Sequence, residues 1–184
     1  MNARTELLAP IAGAECSLLA ESSRAGALIA QNWDWHPSLA ASLVVWRIRQ
    51  PGDRWFATLT EAGMLAKVGL SSAGLACGLN FLRSSRDGGA AGVPVHVLLR
   101  VVLDRCDSAG EALRLLAALP ARASACLTLA DADGVAVAME RSPGGWRLVF
   151  PGSGGRLAHT NHFLAGLAAG EDLEAREAPS TGLR

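Results

Sequence analysis

Cys16 is the residue of this sequence whose type best suits covalent chemistry, because a thiolate is a strong nucleophile. Three further cysteines stand at 77, 106 and 126, and no two of the four form a C-x-x-C pair. That spacing indicates neither a zinc knuckle nor a redox dithiol. Apolar neighbours predict that the three later cysteines, Cys77, Cys106 and Cys126, are inert core thiols. Spacing alone does not decide whether Cys16 is a nucleophile or one more buried cysteine.

Several other polar residues could bind a metal or assist a nucleophile. His159 and His162 are three residues apart, a metal-ligand spacing on a helix, but their segment looks like a strand and brings no third ligand. We therefore interpret them, together with His36, as structural hydrogen-bonding residues, and we predict no metal site. Asp131, Asp133 and Gly134 resemble part of a calcium loop whose ligand pattern is not completed, so a hairpin turn is expected there.

Composition limits the classes to which the protein can belong. The 184 residues are half apolar, and 17 basic residues balance 17 acidic ones. Such a chain can bury a sizeable core, and it lacks the basic face of a nucleic-acid binder, so neither disorder nor a nucleic-acid partner is expected. No apolar run reaches the roughly 18 residues that cross a membrane. Glu6, Pro10 and Glu15 interrupt the only segment resembling a secretion signal. We predict a cytoplasmic protein with reduced cysteines and no membrane partner.

The elements that must position these residues follow from hydrophobic periodicity and turn residues. Short alternating segments separated by turns predict an antiparallel meander in the first half of the chain. Its expected strands cover 16–21, 26–32, 42–49, 55–59, 68–70 and 75–81. Further strands are expected at 125–129, 135–140, 146–150 and 157–161. The tryptophans at 46, 55 and 146 are predicted to be core residues.

Two helices are expected between these groups of strands. Pro94 suits a first helical turn, and the nearly uniform apolar segment 97–103 predicts a buried helix. Ser108 and Glu111 form a capping box that opens a second helix, which Pro120 ends. Strands, two helices and strands again predict an α+β fold with helices packed on antiparallel sheet.

Four sequence blocks then point to a known family. They are ECS at 15–17, QNWDW at 31–35, KVGLSSAGLACGLN at 67–80 and HTNHF at 159–163. In type and order they resemble the acyl-coenzyme A:6-aminopenicillanic acid acyltransferase family, the isopenicillin N acyltransferase-like group of N-terminal nucleophile (Ntn) hydrolases. The segment PSTGLR at 179–184 resembles the part of that family that carries an active-site arginine.

The resemblance implies a four-layer αββα Ntn-hydrolase sandwich that here would be incomplete at both ends. It implies a short pro-segment, 1–15, and a partial acyltransferase-like domain, 16–184. Self-cleavage would break the peptide bond between Glu15 and Cys16, and Cys16 would be the nucleophile. The cleaved segment is a candidate partner that stays associated with the rest of the chain.

The resemblance also implies roles for particular residues. Asp34 and Arg184 match residues that hold the new α-amine, and Asn161 matches the oxyanion-hole asparagine. Asn80, with Phe81 beside it, matches a position near the substrate pocket. Other interpretations stay open: Asp34 could satisfy backbone donors at a strand end, Asn161 could cap a turn, and Arg184 could be a terminal tip.

The function that follows is a self-processing cysteine amidohydrolase or acyltransferase that forms an acyl-enzyme on Cys16. Its substrate would be a small-molecule amide or thioester. No cofactor is expected, although acyl-coenzyme A could be the acyl donor. The alternatives are a hydrolase of the penicillin V, bile-salt or acyl-homoserine-lactone type, and a non-catalytic truncated fragment.

Overall fold

A computed structural model describes residues 15–34, 37–88 and 91–166, which form two antiparallel sheets and a pair of helices. The small sheet has three strands in the order β10-β1-β2. Its strands are β1 (Glu15–Ser23), β2 (Gly26–Asp34) and β10 (Arg156–His159). The predicted pro-segment lies outside the described residues except for Glu15, which opens β1.

The large sheet has seven strands whose spatial order is their order along the chain, as a meander predicts. Its strands are β3 (Leu43–Arg49), β4 (Trp55–Glu61), β5 (Val68–Ser71), β6 (Ala76–Phe81), β7 (Ala125–Ala130), β8 (Ala136–Ser142) and β9 (Gly145–Val149). A 3₁₀ helix, Pro37–Ser42, leads into β3. The turn between β7 and β8 is held by Asp131, whose carboxylate accepts the backbone N–H of Val135 at 3.1 Å. This confirms the predicted hairpin.

Two helices, α1 (Val95–Arg105) and α2 (Ala109–Ala118), connect β6 to β7. Ser108 is the N-cap of α2, and its hydroxyl accepts the backbone N–H of Glu111 at 3.3 Å, as the sequence predicts. The Glu111 carboxylate accepts the backbone N–H of Asp107, one residue earlier than a capping box requires. The helix ends two residues before Pro120, which has no backbone N–H to continue it.

The described residues form three layers: helices, large sheet and small sheet. One apolar cluster, including Leu99, Leu116 and Leu127, fills the space between the helices and the large sheet. A second, including Leu18 and Leu157, lies between the two sheets. The central strands β7 and β8 are therefore buried on both faces. Within the part of the chain described here, no helix is long and apolar enough to cross a membrane.

The prediction that the tryptophans lie in the core is wrong: Trp55 is only partly buried and belongs to neither apolar cluster, and the other two are exposed. Trp46 is 37% exposed and Trp146 is 41% exposed, because β3 and β9 are the edge strands of the large sheet. The predicted burial of the later cysteines is confirmed, because all three are free and buried in the two apolar clusters; that they are inert stays a prediction.

Close contact between the sheets sets the position of β1. A Cβ added at Gly78 of β6 would lie 2.3 Å from Leu18 Cδ1 and 2.9 Å from Gln31 Oε1. Gln31 also bridges the sheets, because its Oε1 accepts the backbone N–H of Leu79 at 3.1 Å. The glycine therefore allows the start of β1, where Cys16 lies, to pack directly against β6.

Candidate active site

Cys16 is the second residue of β1, and its side chain points between the two sheets. It lies directly opposite Trp33 of β2, and only 1% of the residue is exposed. Its backbone N–H donates to Asn161 Oδ1 at 2.7 Å. The nitrogen of the Glu15–Cys16 peptide bond is therefore held against the side chain that the sequence selects as an oxyanion donor.

Asn161 follows β10, and its side chain reaches across to the end of β6. Its Nδ2 donates to the carbonyl oxygen of Phe81 at 3.0 Å, and the same side chain also hydrogen-bonds to the Cys16 thiol. Asn80 is fully buried, and its Nδ2 donates to the carbonyl oxygens of Cys16 at 3.3 Å and His159 at 3.4 Å. Four predicted site residues, Cys16, Asn80, Phe81 and Asn161, are therefore neighbours.

Asp34 lies beside this group at the end of β2, where it pairs with Glu15. Its backbone N–H donates to the Cys16 thiol, whereas its carboxylate is exposed and accepts from Asn32 Nδ2 at 3.1 Å. Its predicted role in holding an α-amine stays a prediction. The predicted Arg184, together with His36, lies outside the described residues.

The thiol of Cys16 is protonated at neutral pH in this uncleaved form. Burial raises its pKa to about 11, because a thiolate would lose its water. The Asn161 side chain, the positive charge of Lys67 and the Asp34 backbone N–H each lower this pKa in part, and the Asp34 carboxylate raises it.

Sequence analysis did not select the ion pair near the thiol. Lys67 and Glu61 have side chains only 5% and 6% exposed, and Lys67 Nζ donates to Glu61 Oε1 at 2.6 Å. The ammonium also lies 3.9 Å from the ring centroid of Trp33. One signal was available: Lys67 is the single lysine of the chain and lies within a motif of the family.

A second buried ion pair holds the segment that carries Asn161. His159 Nε2–H donates to Glu140 Oε1 at 2.8 Å, and Nδ1–H donates to the Thr160 carbonyl oxygen at 2.7 Å. Both ring nitrogens face acceptors, so the ring is an imidazolium. Glu140 also accepts the backbone N–H groups of Leu164 and Ala165 at 2.5 and 2.9 Å.

These contacts support the structural interpretation of the histidines. Burial opposes the charge of His159, but contacts that include Cys126 and Glu140 outweigh it and raise its pKa to about 10. A ring with that pKa is a poor base at neutral pH. His162 Nδ1 bonds instead to Thr160 Oγ1 at 2.9 Å. Sequence analysis missed Glu140 because an acidic residue in a strand is ordinarily expected to be exposed.

Comparison with known proteins identifies the family. The family model for acyl-coenzyme A:6-aminopenicillanic acid acyl-transferase matches residues 20–180. The chain belongs to this family. It is 32% identical over 168 residues to the 40 kDa form of acyl-coenzyme A:6-aminopenicillanic-acid-acyltransferase from Emericella nidulans. That match covers 89% of this chain and 46% of the relative, so the chain spans less than half of the relative's length.

One solved structure shows the fold. An N-acylethanolamine-hydrolyzing acid amidase ortholog from Caenorhabditis elegans superposes with a TM-score of 0.64 at 17% identity, covering 79% of this chain and 69% of that one. Penicillin V acylase from Agrobacterium tumefaciens gives a TM-score of 0.43 at 19% identity, over 73% of this chain and 41% of that one. The family member described here has the Ntn-hydrolase fold, as predicted, with three of the expected four layers in its described residues.

Proposed function

We propose that this family member is a self-processing cysteine acyltransferase or amidohydrolase that uses Cys16 as its nucleophile. The observation that carries the proposal is the junction at residue 16. There the buried thiol, the backbone nitrogen and the Asn161 side chain lie within hydrogen-bonding reach of one another. No histidine is needed beside the thiol, because cleavage at this bond would create a proton acceptor on the same residue.

In the first step the Cys16 sulfur attacks the carbonyl carbon of Glu15. The carbon–nitrogen bond breaks, the nitrogen takes up a proton, and a thioester joins Glu15 to the sulfur. Water then hydrolyses the thioester and releases residues 1–15. The new α-amine has an unperturbed pKa of about 7.7–8.0, so it can accept the thiol proton near neutral pH.

In turnover the Cys16 sulfur attacks the substrate carbonyl and forms an acyl-enzyme through a tetrahedral oxyanion. An Asn161 Nδ2–H can stabilise that oxyanion, since its amide carries no charge that must be compensated. The Asp34 carboxylate, at the end of the strand paired with β1, is suited to hold the α-amine. The acyl group then passes to an amine, which is transfer, or to water, which is hydrolysis.

Intact-mass measurement tests the self-processing step. We expect purified protein to lose residues 1–15, and Cys16→Ala to keep its full mass. Cys106→Ala is the matched control, because Cys106 is also a buried free thiol but lies at the end of α1, and it should still be cleaved. A parent chain that keeps its full mass for days would refute self-processing and favour a non-catalytic fragment.

Product analysis separates transfer from hydrolysis. The family relative is named for acyl-coenzyme A and 6-aminopenicillanic acid, whereas the structural neighbour is named for N-acylethanolamine hydrolysis. We therefore propose testing the cleaved protein with an acyl-coenzyme A thioester, with and without 6-aminopenicillanic acid, and separately with an N-acylethanolamine. An acylated amine product supports the acyltransferase; free acid alone, whether or not the amine is present, supports the hydrolase.

A further inference from the structure

The buried pair of Lys67 and Glu61 is the strongest feature near the site that the proposed chemistry leaves without a role. Lys67 lies between β4 and β5, and Glu61 is the last residue of β4. Removing two charges from water is expensive, and their mutual attraction often fails to repay it. Stability alone is therefore a weak reason for a buried pair at this position.

The Lys67 charge lies beside the residue that pairs with the nucleophile. Cys16 and Trp33 are directly opposite each other on adjacent antiparallel strands, so their side chains lie on the same face of the small sheet. The Lys67 ammonium lies 3.9 Å from the Trp33 ring centroid and is therefore beside the residue paired with Cys16. Burial lowers the pKa of Lys67, and Glu61 and Cys16 partly offset that effect; the Lys67 charge in turn lowers the pKa of Cys16.

The other groups near the thiol do not supply the positive charge that acts on it: the His159 imidazolium, on the neighbouring strand β10, is paired with Glu140. The carboxylate of Asp34 opposes a thiolate, and the Asn161 side chain is neutral. Burial lowers the pKa of His96, on α1, to about 4, so its ring is uncharged at neutral pH. Within the described residues, Lys67 is the cation whose charge acts on this thiol, and Glu61 keeps it paired and in place.

We propose that Lys67, held by Glu61, is a positioning residue for self-cleavage: its ammonium stabilises the Cys16 thiolate while the Glu15–Cys16 bond is intact. This inference rests on the proposed function. Before cleavage no α-amine exists, so the thiol proton must leave to solvent, and the negative charge on sulfur needs a cation nearby. The thiolate then attacks the Glu15 carbonyl, and the departing nitrogen takes a proton from solvent. After cleavage the α-amine accepts the proton directly, so turnover depends less on Lys67.

The test uses a variant in which both charges are removed. Lys67→Met alone would leave Glu61 buried without its partner and risks misfolding. Lys67→Met with Glu61→Gln keeps the side-chain volumes and leaves no buried charge. Arg47→Met is the matched control, because Arg47 also lies over a tryptophan, 4.6 Å from the Trp55 ring centroid, but on the exposed edge strand β3.

The measurement is the rate of self-cleavage against pH, followed by intact mass after a pulse of cell-free synthesis. Losing a neighbouring opposite charge raises a thiol pKa by about 1 unit or more, so the double variant should cleave at least about tenfold more slowly near neutral pH. Because the pKa of Cys16 is about 11, the ratio of the two cleavage rates should stay nearly constant up to about pH 10 and shrink only as the pH approaches 11. Turnover by protein that has completed cleavage should fall less. Arg47→Met should cleave at the rate of the parent. Lys67→Arg, which keeps a positive charge, should cleave faster than the double variant and more slowly than the parent.

Two results would overturn the inference: a double variant that cleaves as fast as the parent, or one that cleaves more slowly although iodoacetamide alkylates its Cys16 as fast as in the parent, which indicates structural damage alone. Failure of the proposed function is a separate outcome. If the parent never sheds residues 1–15, alkylation of Cys16 by iodoacetamide, followed by peptide mass, still reports the charge effect. If the rate of Cys16 alkylation at each pH is the same in the double variant as in the parent, the role of Lys67 is rejected in that case also.

Discussion

The buried Glu140–His159 pair allows a quantitative test of how the segment carrying Asn161 is held. Glu140→Gln keeps the shape of the side chain but removes its charge. In the parent, Glu140 accepts from the His159 ring and from the backbone N–H groups of Leu164 and Ala165. A glutamine side chain has one acceptor oxygen and an NH₂ that would face donors. The imidazolium would therefore lose its counter-ion inside the protein.

The pKa of His159 sets an upper limit on the expected loss, because Cys126 as well as Glu140 raises it. This pKa rises from 6.5 in an unfolded chain to about 10 in the folded protein. A raised pKa contributes stability that is complete below about pH 6.5 and is lost as pH rises toward 10. At 1.36 kcal/mol per pKa unit the contribution is of order 4–5 kcal/mol near pH 6 and about 1–2 kcal/mol near pH 9. The loss of stability usually seen when one partner of a buried ion pair is removed is similar, about 3–5 kcal/mol.

Urea unfolding of the parent and of Glu140→Gln between about pH 6 and pH 9 measures this difference. We expect the difference in unfolding free energy between the two chains to narrow over that range, by up to about 3 kcal/mol. The buried His96 is present in both chains, so its titration cancels in the difference between their unfolding free energies. Glu21→Gln is the matched control: its partner Arg156 is 3.1 Å away, but both side chains are exposed, so about 0–1 kcal/mol should be lost.

A gap that stays constant across this pH range would refute the assignment of an imidazolium to His159. A gap below about 1 kcal/mol near pH 6 would refute the buried pair as the support of this segment. Because Asn161 lies between His159 and Leu164, we also expect Glu140→Gln to slow self-cleavage.

Three further changes test the site and its support. Asn161→Ala should slow cleavage and turnover by about 10²–10³-fold, because it removes the oxyanion donor; an unchanged kcat would exclude that role. Gly78→Ala should destabilise the protein by about 1–3 kcal/mol in urea unfolding, since the new Cβ would lie 2.3 Å from Leu18 Cδ1. Gly154→Ala should lower the unfolding free energy far less, because its Cβ would meet nothing within 4 Å. Ser108→Ala removes the hydroxyl that caps α2 and should lower the unfolding free energy by about 0.5–2 kcal/mol; Ser108→Thr keeps a hydroxyl and should retain most of that stability.

Local patterns predicted most of the fold correctly. Strands bounded by turn residues, and the Ser108 cap followed by an apolar helix face, depend on neighbours along the chain and can be read without a structure. The family motifs also selected Cys16, Asn80, Phe81 and Asn161, which prove to be neighbours. Edge strands could not be distinguished from central ones, since pairing is a long-range property. For that reason Trp46 and Trp146 were wrongly expected to be buried.

The sequence by itself determined the order of the elements, the family and the nucleophile candidate, because these depend on residue type and spacing. Only the tertiary structure decided the electrostatics of the site. Lys67, Glu61 and Glu140 are charged residues that pattern analysis expects at a surface, and packing buries them beside Trp33 and His159. Burial turns each charge into a strong local influence, since there is little water to screen it.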